Sequence, residues 1–250
     1  MSANEIAVIA FACTFGGAIL GMSIAGKLPV HHLSSESRDV VKMAVGTVAT
    51  LAALVIGLLT ATAKGSFDTR DSELKQFSAN LILLDRQLVH LGPSAQDARA
   101  LLKRYARYKL DSTWKTRASA STVDPNGWLL LEEVQDRIRL LAPTDEAQRW
   151  LQSRALQISG DLAKTRWLLD VQAGSSIPVA FLVLLVFWLA AIFTSLGLLA
   201  PVNTTVIAAL FVCALSVSGA IFLILEMDTP FEGLIQISSG PLRDVLAHLS

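Results

Sequence analysis

Charge is scarce in this 250-residue chain. Only 17% of its residues are charged, against 52% hydrophobic, and the mean hydropathy is +0.51. That balance excludes an ordinary water-soluble enzyme domain, which needs a polar shell over its core. Neither sign of charge dominates: the 21 basic and 21 acidic residues cancel, so no basic footprint points to nucleic acid. Two cysteines cannot build a disulfide scaffold or a four-cysteine zinc site. Both, Cys13 and Cys213, stand in apolar stretches and act there as small apolar residues. Catalytic signatures are missing too, with no Gly-x-Ser-x-Gly, Walker, Gly-x-Gly-x-x-Gly or His-Glu-x-x-His pattern. His31-His32 with Glu36 and Asp39 lacks the further ligands that would gather on one ion. The expectation is of no enzyme, no metal and no cofactor.

What the chain has is apolar blocks. A helix needs about 20 apolar residues to cross roughly 30 Å of hydrocarbon. Four stretches reach that length: 6–25, 43–63, 177–199 and 206–225. Each is expected to be helical, because lipid offers the backbone no hydrogen-bond partner. A soluble bundle would require polar faces, and the third block has none. The first block lacks the positive flank and clear cleavage site of a signal peptide and reads as a retained span. Residues 1–65 and 177–226 thus form two transmembrane hairpins, joined by an insert at 66–176 and followed by a tail at 227–250. The fold class is all-α: an integral membrane protein with four transmembrane helices and a helical soluble insert between spans two and three.

Residues 64–176 hold 17 of the basic residues and 14 of the acidic ones, so the insert alone has a soluble composition. Leu74, Phe77, Leu81, Leu84, Leu88 and Leu91 alternate three and four apart and mark one helical seam, for packing within the insert or for oligomerisation. Gly92-Pro93 ends it. Gly65 is the sole breaker before it, so span two can continue into the insert as one helix. Further helices are expected over 94–111 and 127–141. A last one is capped by Thr144, with Leu151, Ala155, Ile158, Leu162 and Leu169 on one face. Residues 118–126 read as a loop. Lys103, Arg104, Arg107, Lys109, Lys115 and Arg117, interleaved with Tyr105, Tyr108 and Trp114, form either an anion-binding strip or a solvated helix face. In the tail, Leu242, Val245, Leu246 and Leu249 mark an amphipathic helix. It can lie at the membrane interface, clasp a neighbouring subunit or dock on the chain's own stalk.

The distribution of Lys and Arg around the spans gives a split vote. Lys164 and Arg166 before span three place the insert in the cytoplasm, while Lys27 and Arg38 after span one oppose this. The balance favours an insert and termini in the cytoplasm. On a wheel at 100° per residue, Lys42, Gly46, Ala49, Ala53, Gly57, Thr60 and Lys64 cluster on one side of span two, with Ile56 at its edge. That side is slim and tipped by a lysine at each end. It serves either close helix packing, with Gly17, Gly21, Ala209, Cys213 and Ala220 as facing small surfaces, or the wall of a pore whose lysine rings favour anions. Glu226 and Asp228 end span four on the same membrane side as Lys64 and are candidate charge partners for it.

Two passages carry a resemblance. One is His32-Leu33-Ser34-Ser35-Glu36-Ser37-Arg38-Asp39-Val40-Val41-Lys42, running through span two to Ala63-Lys64-Gly65-Ser66-Phe67-Asp68. The other is Met227-Asp228-Thr229-Pro230-Phe231-Glu232-Gly233-Leu234-Ile235-Gln236-Ile237-Ser238-Ser239-Gly240-Pro241-Leu242-Arg243-Asp244. Together they resemble a bacterial domain-of-unknown-function family labelled bestrophin-like. The resemblance implies similarity to bestrophins, which are pentameric anion channels with a pore lined by the second span. It implies a multi-pass protein of the bacterial inner membrane, with the lipid bilayer and small inorganic ions as partners and a homo-oligomeric, pentameric assembly. This second span has no aromatic residue and so lacks the aromatic neck of bestrophins. No acidic run resembles their calcium clasp, so calcium gating is not carried over. The leading expectation is a channel-like protein passing small ions, with anions preferred. The alternative is a non-conducting membrane scaffold or sensor whose helical insert binds a partner.

Overall fold

The computed structural model describes residues 2–27, 35–114, 126–171, 177–231 and 233–249. His31 and His32, the basic residues Lys115 and Arg117, most of the 118–126 loop and the break at 174–176 lie outside the described residues. Among those described the chain is all-helical, with no strand. The helices are α1 (Ala3–Ala25), α2 (Ser35–His90), α3 (Gln96–Thr113), α4 (Leu130–Arg139), α5 (Glu146–Val171), α6 (Val179–Leu199), α7 (Thr204–Asp228) and α8 (Gly240–His248). Short 3₁₀ turns at Pro93–Ala95 and Gly127–Leu129 precede α3 and α4. Helices α1, α2, α6 and α7 each hold an apolar stretch long enough to cross a membrane.

The chain divides into two compact units. One comprises Met1–Ser66 and Ser175–Thr229, the other Phe67–Gly174 and Pro230–Ser250. In the first, α1 starts on a capping box. The Glu5 amide donates to Ser2 Oγ at 3.3 Å and the Ser2 amide donates to Glu5 Oε2 at 2.8 Å, which satisfies two amides that a helix start leaves open. Asn203 caps α7 by accepting from the Val206 amide at 2.8 Å. Helices α1 and α6 meet backbone to backbone. A Cβ on Gly21 would fall on the Thr194 carbonyl oxygen, one on Gly197 would fall on that of Ala18, and one on Gly17 would come within 2.8 Å of Thr194 Oγ1. Such contact is how apolar helices bind when burial from water supplies no drive. Phe11, Phe15 and Phe211 then form a ring cluster between α1 and α7, with centroids 5.4 to 5.7 Å apart. In α1 the buried Thr14 Oγ1 donates to the Ala10 carbonyl at 2.8 Å, a local bond that suits an apolar surrounding.

The second unit is built on the seam of α2. Leu74, Phe77, Leu81, Leu84, Leu88 and Leu91 are all buried. From Phe77 onward they join one core with Leu102 and Tyr105 of α3, Leu131 and Val134 of α4, Ala155 and Leu162 of α5, and Leu242 and Val245 of α8. The tail helix therefore docks in its own chain's second unit. Two contacts fix the approach to it: Trp114 Nε1 donates to the Ile237 carbonyl at 3.0 Å, and its ring meets Phe231 edge-on at 5.7 Å. Gly92, at φ 85°, ends α2 in a conformation that disfavours other residues, and Pro93 prevents continuation. No break occurs at Gly65, so α2 is one helix of 56 residues. The cap of α5 is Asp145, whose carboxylate accepts from the Gln148 amide at 2.7 Å. Thr144 was the expected cap. Instead its amide donates to Gln148 Oε1 at 3.0 Å, closing the turn from the other side.

Candidate functional site

The slim side of α2 is the candidate site, and its surroundings differ sharply around the helix. Ala52, Leu59 and Ala63 are buried, and Val45, Val48 and Val55 pack beside them against the core of the first unit. Rotating away from that core, Ala49 and Ile56 are half-buried at the boundary. Next come Lys42, Gly46, Ala53, Gly57, Thr60 and Lys64, all exposed. A Cβ built on Gly46 or Gly57 meets nothing within 4 Å. Farther round are the bulky side chains Leu51, Leu54 and Leu58, also exposed. The helix thus buries one face and presents two chemically distinct faces outward, one bulky and one small.

Within this chain the small face is not spent on helix packing. Gly17 and Gly21 of α1, which the sequence offered as partners for it, pack against α6 instead. Cys213 and Ala209 on α7 are exposed. The hydroxyls on α2 are internally bonded: Thr60 Oγ1 donates to the Ile56 carbonyl at 2.8 Å and Thr50 Oγ1 to that of Gly46 at 2.9 Å. Each keeps lone pairs for an outside donor while its proton stays on the helix.

The two lysines differ in setting. Lys42 Nζ lies 3.4 Å from Asp39 Oδ1, one turn back, with both side chains well exposed. Such a pair is weak and salt-screened, so Lys42 stays an available cation beside a carboxylate. The pairing was readable from the three-residue spacing alone. Lys64 is exposed, whereas Glu226 and Asp228 at the end of α7 are 4% and 2% exposed.

The other motifs fall into structural roles. Tyr105 of the basic strip is fully buried, Tyr108 packs its ring on Gly127, and Trp114 anchors the tail. Those aromatic faces are committed to the core, so no stacking platform for bases is left among them. Among the described residues, no three His, Cys, Asp or Glu side chains converge as for a metal ion. The second unit also holds a cavity of about 320 Å³ lined by Glu73, Gln76, Asn80, Asp161, Lys164, Thr165 and Leu168, which sequence periodicity had no means of marking. Its polar lining comes from two helices distant in sequence.

A family model described as "Bestrophin-like domain" matches residues 12–242. No curated protein matches the chain significantly. Among solved structures, one variant of a bacterial bestrophin homolog from Klebsiella pneumoniae superposes with a TM-score of 0.66 at 12% identity, covering 97% of this chain and 98% of that one. A second variant of the homolog gives 0.68 at 13% identity, covering 100% and 97%. A structure of the homolog phased with zinc gives 0.65 at 13% identity, covering 97% and 95%. At these identities the likeness establishes a shared fold.

Proposed function

The chain belongs to the Bestrophin-like family, and on that premise we propose that it is a homo-oligomeric membrane channel passing small ions, anions preferred. The ion path runs along the exposed small side of α2: Lys42, Gly46, Ala53, Gly57, Thr60 and Lys64, with Ala49 and Ile56 at its edge. Copies of α2 surround a central axis, five of them by family resemblance. The apolar parts of α1, α2, α6 and α7 cross the bacterial inner membrane, and the second unit and both termini lie in the cytoplasm.

The reading is carried by the contrast between two sets of glycines. Gly17 and Gly21 of α1 and Gly197 of α6 are consumed in close packing, whereas Gly46 and Gly57 leave a groove of backbone and small side chains open along α2. A groove without bulk leaves room for a partly hydrated ion. Lysines at both ends raise the local concentration of anions, and the short apolar stretch between them keeps any one binding site shallow enough for release.

Purified protein in planar bilayers under a potassium chloride gradient tests this. A reversal potential set by chloride is expected, shifted toward the cation by Lys42→Glu and by Lys64→Glu. If both variants keep wild-type selectivity, the lysines do not face the path. If wild type carries no current under any pH, calcium or voltage condition, or a mass measurement in detergent gives only monomer, the shared pore is refuted.

A further inference from the structure

Arg166 in α5 is a buried cation with no carboxylate beside it among the described residues. The residue is 6% exposed. A guanidinium keeps its charge at any ordinary pH and carries five N–H donors. One is used here: Nη1 donates to the Trp128 carbonyl at 2.8 Å. The guanidinium carbon lies 5.2 Å from the centre of the Trp167 ring, a cation–π contact. Among the described residues, no Asp or Glu oxygen stands within ion-pair distance of it. Arg99, another arginine of this unit, has such a partner in Asp85 at 2.7 Å. A carbonyl and an aromatic face compensate a desolvated full charge only in part.

The rest of the guanidinium is not sealed. None of its nitrogens is among the buried side-chain atoms left without a bond, so the unused donors reach the surface. The Trp167 ring beside it is exposed, at 59%, and Trp128, whose carbonyl Arg166 holds, is exposed at 48%. Arg166 also stands thirteen residues before Val179, the first residue of α6. Basic and tryptophan residues that precede an apolar helix by so few positions in sequence match the composition of segments at the headgroup layer.

We infer that Arg166, beside the exposed Trp167 ring, binds a phosphate oxyanion, and that the phosphate belongs to an anionic lipid headgroup. The planar fork takes two phosphate oxygens at once, which a lysine cannot do. The Trp167 indole offers apolar cover to the glycerol and first methylenes. The lipid as source rests on α6 being a membrane span. The phosphate chemistry does not, and it is independent of whether α2 conducts.

The test uses the full chain in detergent, titrated with short-chain phosphatidylglycerol, with its phosphatidylcholine counterpart and with inorganic phosphate. Tryptophan fluorescence and melting temperature are the readouts. Phosphatidylglycerol is expected to bind and raise the melting temperature. Its affinity should fall about tenfold or more in Arg166→Lys, fall less in Trp167→Ala, and stay unchanged in Trp150→Phe. Inorganic phosphate binding with the same dependence on Arg166 would keep the site and make its ligand the free ion. An equal response to phosphatidylcholine, no binding by wild type, or wild-type affinity in Arg166→Lys would overturn the inference and leave Arg166 as a cap on the Trp128 carbonyl. If Arg166→Lys does not fold, Trp167→Ala decides, since its exposed ring can be removed without opening the core: wild-type affinity there overturns the site, and weakened affinity upholds it.

Discussion

Gly21 of α1 and Thr194 of α6 touch through their backbones, so that a Cβ on Gly21 would occupy the place of the Thr194 carbonyl oxygen. Neither helix can yield without giving up the neighbouring contact between Gly197 and Ala18. Gly21→Ala is therefore expected to destabilise the first unit by about 2 kcal/mol, through overpacking that backbone must absorb. Gly16→Ala on the same helix, where a Cβ meets nothing within 4 Å, should be neutral. Melting in detergent, followed by circular dichroism, separates the two.

On α2 the same substitution has the opposite outcome. Gly46→Ala and Gly57→Ala place a methyl in open space, and alanine favours helix by up to about 1 kcal/mol. Chain stability should hold or rise slightly. Unitary current should fall, because the methyl enters the proposed path. A current unchanged in both variants would move the path to another face of α2.

The seam from Leu74 to Leu91 could be read directly from its spacing, because one buried stripe dictates a three-and-four repeat whatever covers it. What covers it could not be read. Leu102, Leu162 and Leu242 come from three helices, and their meeting is set by packing in three dimensions. The same holds for the glycines: a small residue announces close approach but not its partner, so Gly17 and Gly21 were equally suited to α2 and to α6. The exposed tryptophans beside Arg166 were unreadable for another reason. A buried cation and a solvated one look alike in sequence, and only the structure distinguishes them.

Leu242 of α8 is fully buried in the second unit, as is Val245. Deleting most of either side chain leaves a cavity in a shared core, so Leu242→Ala is expected to cost about 3 kcal/mol. Leu246, only partly buried at the edge of that core, should cost less when replaced by Ala. Urea unfolding of the two variants, compared at equal slope, checks the order. If both cost under 1 kcal/mol, the tail does not belong to this core.

At the start of α5, Asp145 and Thr144 make different predictions. The Asp145 carboxylate accepts from the Gln148 amide, so Asp145→Ala leaves an open donor at the positive end of the helix and should cost about 1 kcal/mol. The Thr144 hydroxyl donates to Gln148 Oε1 at 3.2 Å on an exposed surface, and Thr144→Ala should cost a few tenths of that figure. The reverse order, in thermal unfolding, would return the cap to Thr144.

The pair of Asp85 and Arg99 has a definite pH signature. Arg99 Nε donates to Asp85 Oδ1 at 2.7 Å and Nη2 to Oδ2 at 3.3 Å, with Asp85 5% and Arg99 35% exposed at the side chain. The hydrogen bond to Asp85, assisted by its charge and opposed by partial burial, holds the Arg99 guanidinium above its ordinary range. A cation whose pKa is raised by folding contributes stability that is fully present below its unfolded value and is lost only as pH rises through the folded one. Both lie above any working pH, so base should not weaken this pair anywhere in the working range. A double-mutant cycle with Arg99→Met and Asp85→Asn is expected to give the same coupling at pH 7 and pH 10. Arg99→Met alone should cost about 2 kcal/mol, because it strands a buried carboxylate whose partner was partly solvated. If the coupling falls between those two pH values, a group other than this guanidinium sets the charge state at Asp85.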